Sequence, residues 1–325
     1  MPFRLRLTVI FFTVLLVSAA VLPLVYPVSE LKTVSPQSLA GANDKFAEVE
    51  GVNLRYTDTG TSPPTLLLLH GFGSSVFSWR KVTGALGEQA RVVAFDRPGF
   101  GLSERPAVTS SRNPYTAEAQ VALSLGLLDT LGIAKAVLIG NSAGGAVAVS
   151  LALEHPERVA GLILVDPALS SRGPPAWVRA LYNTPQATRL GPYLMRPFGD
   201  EAGLELLRRA YADPTRLSEA DVAGYRRPLQ ANNWDGALWE VTKANRPTKL
   251  VSRLGELRVP TLIVSGAEDD VVPLEQSQRA ASSIQGATIK VLEDCGHVPQ
   301  EECPKKFLAA VTPWLNTLQP NLFAN

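Results

Sequence analysis

Gly140-Asn141-Ser142-Ala143-Gly144-Gly145 follows directly on the apolar run Ala136 to Ile139 and leads directly into the helical run Val147 to Glu154. A serine on so sharp a strand-to-helix turn is held in a strained backbone conformation. Glycines flank it because a side chain there would collide with neighbouring backbone. G-x-S-x-G alone arises often by chance; its position between a buried strand and a helix is what gives it meaning, and a plain Gly-rich turn is the reading it displaces.

Outward from this turn, similar short apolar runs recur. Thr65 to Leu69, Arg91 to Phe95, Gly161 to Val165 and Thr261 to Val264 read as buried strands, with Asn53 to Asp58 before them and Ala287 to Leu292 as the last. Tyr115 to Leu131 has helical spacing and stops at Gly132. Strand and helix in alternation imply right-handed crossovers, which predicts the α/β class: a mostly parallel twisted sheet of about eight strands with helices on both faces. One stretch breaks the rhythm. Ala168 to Leu257 has no convincing strand but carries helical patches at Gly203 to Tyr211, Glu219 to Tyr225 and Gly236 to Ala244. An insertion of that length between two strands is too long for a loop and reads as a helical cap. The expected division is an N-terminal segment over residues 1–34, a linker over Ser35 to Asn43, a core over 45–168 and 256–325, and a cap over 169–255.

A serine needs a base in hydrogen-bond reach, and the base needs a third group to orient it. Of the three histidines, His70, His155 and His297, only His297 lies after the last strand, where a loop can return it to the carboxyl edge of the sheet. His155 precedes Pro156 at the foot of the helix that begins after Ser142, and reads as a helix-end residue. The acid should leave the preceding strand, where Glu268, Asp269 and Asp270 are adjacent carboxylates; the residues alone do not choose among them. Backbone donors must stabilise the oxyanion. In such an architecture these are the N–H after the nucleophile, Ala143, and one from the loop after the third strand, His70-Gly71-Phe72-Gly73, with Phe72 the expected donor and His70 shaping the loop.

Composition narrows the partners. The 325 residues are 46% hydrophobic, enough for one large core, and 31 basic side chains against 30 acidic ones form no basic stripe, so nucleic acid is not an expected partner. Cys295 and Cys303 are too few for a disulfide framework, although their spacing permits a local bridge. No histidine pairing suits a metal, and no metal or organic cofactor is expected. At the N-terminus, Arg4 and Arg6 precede a nearly uninterrupted apolar run from Leu7 to Val28. It is long enough to cross a bilayer as a signal anchor; alternatively the apolar part ends near Val17 and Ser18, Ala19 and Ala20 form a cleavage site. Either reading places the body outside the cytoplasm, membrane-anchored or secreted.

Taken together, His70 to Gly73, Asp96-Arg97-Pro98-Gly99-Phe100-Gly101-Leu102-Ser103, the Ser142 turn, Gly266 to Pro273 and Cys295-Gly296-His297 resemble the α/β-hydrolase superfamily over about Phe46 to Leu318. The resemblance implies a catalytic acid three residues after the glycine that ends the strand and four before the proline, which is Asp269, with Asp270 in reserve. It also implies a helical cap after the sixth strand. Gly140-Asn141-Ser142 and Asp96 to Ser103 are similar to hydrolases that cleave carbon-carbon bonds in ring-fission products, but Val298 stands where those enzymes commonly carry an aromatic residue. Serine rather than aspartate at the turn argues against epoxide hydrolases and haloalkane dehalogenases.

The leading expectation is therefore hydrolysis of a small, fairly apolar ester through an acyl-enzyme on Ser142, with His297 and Asp269. Carbon-carbon bond hydrolysis on the same triad, and ligand binding without turnover, are the rivals. Trp177, Tyr182, Tyr193, Phe198, Tyr211, Trp234 and Trp239 are candidates to line a pocket under the cap, packing being the competing reading. Glu301, Glu302 and Lys305 read as a solvated helix face.

Overall fold

In the computed structural model, residues 3–25, 27, 29–170 and 173–318 are described. Val28 at the far end of the apolar run, residues 171–172 of the insertion and the last seven residues of the expected core lie outside them. Eight strands form one sheet: β1 (Lys45–Val49), β2 (Val52–Thr59), β3 (Thr65–Leu69), β4 (Arg91–Phe95), β5 (Ala136–Asn141), β6 (Val159–Val165), β7 (Thr261–Gly266) and β8 (Thr288–Leu292). Their spatial order is β1-β2-β4-β3-β5-β6-β7-β8. From β4 to β8 every neighbouring pair is parallel, while β2 runs antiparallel to both β1 and β4.

The central strands β3, β5, β6 and β7 are apolar along nearly their whole length because helices cover both faces. One apolar layer joins Leu67, Leu69, Leu138, Leu162 and Ile263 to the helices Ala117–Thr130 and Ala143–Glu154. The other joins Leu66, Leu68, Ile139, Ile163 and Val264 to Trp79, Val82 and Phe307. Alternate residues of each strand thus feed opposite layers, as the period of two demands.

The edges depart from the sequence reading. β1 is an added strand, whose Lys45-Phe46-Ala47-Glu48-Val49 buries only Val49 and so has no continuous apolar run to announce it. β8 is an edge strand with only Leu292 buried. The helices Arg80–Gly87, Leu274–Ser283 and Pro304–Leu315 carry too many polar residues or prolines to stand out, yet each lays one apolar side on the sheet.

Between β6 and β7, the described residues form no strand. They form the helices Ala176–Tyr182, Pro185–Met195, Glu201–Arg209, Glu219–Arg226, Trp234–Ala244 and Leu250–Arg253. Leu39, in the stretch Ser35 to Asn43 expected to be a linker, is tied to the insertion, and so are Ser29 and Val34 just before that stretch. Arg196 Nη1 donates to Ser29 Oγ (3.1 Å), Val34 N–H to the Gln230 carbonyl (3.0 Å), Asn232 N–H to the Val34 carbonyl (2.8 Å), and Arg227 to the Leu39 carbonyl. Residues 29–39 are stapled to the insertion.

One close approach governs the middle of the sheet. Gly144, in the first turn of the helix Ala143–Glu154, lies against the Leu69 and His70 carbonyls at the end of β3, and a Cβ there would overlap the Leu69 carbonyl. Backbone, not a flexible side chain, is the obstacle, so neither side yields cheaply. Gly144→Ala is expected to destabilise the fold by about 3 kcal/mol or more, measured as the loss in urea unfolding free energy or as failure to yield folded protein.

Candidate active site

Ser142 sits between β5 and the helix Ala143–Glu154 with φ 53° and ψ −119°, a left-handed conformation that a non-glycine residue adopts only under constraint. Its N–H donates to the Val165 carbonyl at the end of β6 (2.9 Å), and its carbonyl accepts from Gly145 and Ala168. Three neighbouring segments thus hold the turn. Ser142 is nearly buried but lines a cavity of about 160 Å³ between the sheet's carboxyl edge and the insertion.

His297 lines the same cavity, and its Nδ1 lies 2.7 Å from Asp269 Oδ2. Asp269, not Asp270, is the carboxylate at the histidine. Its other oxygen accepts the N–H groups of Val271 (2.7 Å) and Val272 (2.9 Å), which fixes the carboxylate plane. The acceptor at Nδ1 leaves Nε2 as the nitrogen free to take a proton. Phe72 also lines the cavity, and Ala143 begins the helix after Ser142, so its N–H has no intrahelical partner. Of the sequence-derived residues, Ser142, His297 and Phe72 line the cavity, Ala143 follows Ser142 in the chain, and Asp269 is hydrogen-bonded to His297.

The other two histidines are structural. His70 is fully buried; its Nε2 accepts the Arg97 N–H (3.0 Å), which puts the ring proton on Nδ1, toward the Gly71 carbonyl (2.8 Å). Burial, and then the Arg97 guanidinium, lower its pKa well below the usual histidine value, so it stays neutral. His155 caps the C-terminus of the helix Ala143–Glu154. Asp96 ties the loops above the sheet together by accepting the N–H groups of Val76 and Leu102 (2.7 Å each) and pairing with Arg55.

Several residues that hold the site escaped the sequence reading. Asn141 Nδ2 donates to the Val165 carbonyl (3.2 Å) and the His297 carbonyl (3.0 Å), so the residue before the serine clamps the histidine loop. Glu302 accepts the Gly296 N–H (2.7 Å) and the Ala212 and Asp213 N–H groups (3.0 and 2.9 Å). Glu301 is fully buried against Arg80 and Tyr225, and Arg80 also pairs with Asp221 of the insertion. Burial pushes Glu301 up to about 7 although Arg80 opposes the shift. Glu301 and Glu302 are therefore not the solvated face expected of them; only Lys305 is exposed. Two adjacent glutamates on a helix look like a solvent face unless their partners, distant in sequence, are known. Cys295 and Cys303 are bonded, closing a short loop around His297. Of the aromatic candidates in the insertion, Phe198 alone lines the cavity at Ser142; Trp234 and Trp239 are buried in packing, and Trp177 is exposed.

Asp166, at the end of β6, was also missed. It is fully buried; Oδ1 accepts from Ser265 Oγ (2.6 Å) and the Gly266 N–H (3.1 Å). Its Oδ2 is buried without a hydrogen-bond partner among the described residues, and the Asp269 carboxylate is close enough to act on its titration. Burial, reinforced by the Asp269 charge, raises the Asp166 pKa well above the ordinary value. Among the described residues, no three His, Cys, Asp or Glu side chains gather as a metal site.

A strained serine, a carboxylate-paired histidine and a capped cavity on a mostly parallel sheet define the serine-hydrolase class. The chain belongs to the α/β hydrolase family, whose model matches residues 66–311. It is 30% identical over 301 residues to a 2-hydroxy-6-oxononadienedioate/2-hydroxy-6-oxononatrienedioate hydrolase from Burkholderia vietnamiensis, covering 84% of this chain and 96% of that one. It is 31% identical over 271 residues to a 2-hydroxymuconate semialdehyde hydrolase from a Pseudomonas species, covering 82% and 91%. Among solved structures, a thermophilic esterase from Thermogutta terrifontis superposes with a TM-score of 0.69 at 27% identity, over 87% of this chain and all of that one.

Two variants test the arrangement. Asp269→Asn should lower kcat by about 10⁴ through loss of the imidazole's orienting acceptor, whereas Asp270→Asn should stay within about threefold, both read by steady-state kinetics. Asp166 gives a pH signature. Its folded pKa lies above the unfolded value of about 3.9, so folding takes up a proton and the native state loses stability as pH rises from about 4 toward the folded pKa. Asp166→Asn removes that loss. The stability of the variant relative to the parent should climb, by up to about 1.4 kcal/mol per pH unit, in urea melts as the pH is raised from about 4.

Proposed function

We propose that this serine hydrolase acts on an ester with an apolar acyl group, through an acyl-enzyme on Ser142. In this reading Ser142 Oγ attacks the carbonyl carbon while His297 Nε2 takes its proton, and Asp269 stabilises the resulting imidazolium. The N–H groups of Phe72 and Ala143 receive the developing oxyanion, His297 returns the proton to the leaving alcohol, and water repeats the sequence to free the acid. The observation that supports this substrate class is the cavity wall. Phe72, Phe198, Leu204, Leu207, Leu229 and Val298 line the cavity that Ser142 opens into, a lining suited to a hydrocarbon chain.

A second reading has its own support, and the relatives weigh toward it. Both named relatives are hydrolases of unsaturated hydroxy-oxo acids, and Arg226 on the cavity wall is a cation that could take a substrate carboxylate. In that reading the same serine and histidine cleave a carbon-carbon bond, the fragment leaving as a carbon acid protonated within the site.

We also read the helix Phe3–Val25 as a membrane anchor with the hydrolase body on the far side of the cytoplasmic membrane. Its stretch Leu5–Val25 has a mean hydropathy of 2.6 and none of it is buried against the body; its 21 residues span about 31 Å, the thickness of a bilayer's hydrocarbon core. The Cys295–Cys303 bond suits an oxidising compartment.

A fluorophosphonate probe should label the parent at Ser142 and leave Ser142→Ala and His297→Ala unlabelled. Ester turnover should fall on the order of 10³-fold or more in Ser142→Ala. The ratio of kcat/KM for a p-nitrophenyl acyl ester over a vinylogous 1,5-diketone acid separates the two substrate readings: a ratio above one favours the ester. A ratio below one, collapsing toward one in Arg226→Gln, favours carbon-carbon cleavage.

A further inference from the structure

The insertion carries an apolar surface that the other described residues leave exposed. Trp177 is 68% exposed and Leu181 53% on the helix Ala176–Tyr182, and Leu194 is 62% exposed on the neighbouring helix Pro185–Met195, with Tyr193 beside it. Isolated exposed apolar residues are ordinary; several large ones on two adjoining helices mark a contact surface.

Its occupant follows from what lies next to it. The C-terminal part of the helix Phe3–Val25 touches the helix Pro185–Met195, where Gln186 Nε2 donates to the Ala20 carbonyl (3.0 Å), and beyond the ends of the two helices Arg196 Nη1 donates to Ser29 Oγ (3.1 Å). Ala20 lies five residues before the end of the apolar helix, so at 1.5 Å per residue Gln186 sits about 7–8 Å inside that end. Helices that lie in the boundary between headgroups and acyl chains bury their apolar face by about 5–10 Å. Leu181 belongs to this level, because its carbonyl accepts the Thr184 N–H at the start of the same helix, and Trp177 is one turn before it. Tryptophan is the side chain most at home at that boundary.

We infer that the two helices Ala176–Tyr182 and Pro185–Met195 rest in the membrane surface, Trp177, Leu181 and Leu194 entering the lipid, so that the cavity at Ser142 is fed from the bilayer. The inference rests on the reading of Phe3–Val25 as an anchor. Only two residues separate Met195 from Phe198, which lines the cavity and packs edge-on against Phe72 (5.8 Å between ring centroids). An amphiphile leaving the lipid therefore meets the cavity wall within about 10 Å of chain. The substrate class this selects is an ester whose acyl chain partitions into a bilayer.

The test uses the full chain in phosphatidylcholine vesicles. Carbonate-resistant flotation first reads the anchor by itself. Trp177 is the one tryptophan of the described chain with most of its surface exposed, so doxyl-labelled lipids should quench its emission; subtracting the signal of Trp177→Phe isolates it. Leu181→Gln/Leu194→Gln, which leaves the cavity untouched, should keep kcat/KM on soluble p-nitrophenyl butyrate within twofold and lose at least fivefold on a long-chain ester carried in vesicles. If the protein floats but Trp177 is unquenched and the double variant keeps its vesicle activity, the inference falls and the anchor stands. If it does not float, both fall. Concentration-dependent self-association abolished by the double variant, with Trp177 unquenched, would assign the surface to a second copy of the chain instead and overturn the inference.

Discussion

The contact on which the rest depends is that of Gly144 with the Leu69 carbonyl. It brings the helix Ala143–Glu154 hard against the end of β3, and the chain reaches that position only by passing Ser142 through a left-handed backbone. Strain at a non-glycine residue persists only where the surroundings over-determine it. Here the Val165 carbonyl, the Gly145 and Ala168 N–H groups and the buried strands on either side do so. The result is a hydroxyl presented at the sheet edge without a flexible loop, in a place where three strands end together.

Around that fixed point, the histidine is held by an unusual number of independent ties. Its backbone N–H donates to the Ala210 carbonyl of the insertion, its carbonyl accepts from Asn141, Gly296 before it is bound by Glu302, and Cys295 is bound by Glu268 and by the bridge to Cys303. The ties come from both sides of the cavity, so the insertion takes part in placing the histidine. Arg80 extends the coupling, since its guanidinium joins Glu301 beneath the site to Asp221 of the insertion. Buried ion pairs of this kind add little net stability, but losing one partner strands a charge, which makes the joint specific.

How much of this the sequence discloses depends on the range of the interaction. The serine turn, the central strands and the histidine are legible because each is written in consecutive residues: an apolar run, a glycine spacing, a chain order. Asp269 is legible only through resemblance, since Glu268 and Asp270 beside it have the same chemistry and the choice is made by a fold that turns one of them toward His297. Asp166, Asn141, Glu301 and Glu302 are illegible because their roles lie in partners tens to hundreds of residues away. Ser35 to Asn43 looks like a linker because the bonds that tie it and Val34 before it to the insertion are made by their backbone carbonyls and N–H groups, which leave no mark in composition.

Those backbone bonds also decide what can move. A lid is ordinarily pictured as a flap that swings on a stationary enzyme. Here the cover is fastened to residues 29–39 through Arg196, Val34, Asn232 and Arg227, and shares the frame of the N-terminal helix. The same cover is bonded on its other side to His297, Glu302 and Arg80, so widening the cavity has to break or carry along ties at two borders rather than one.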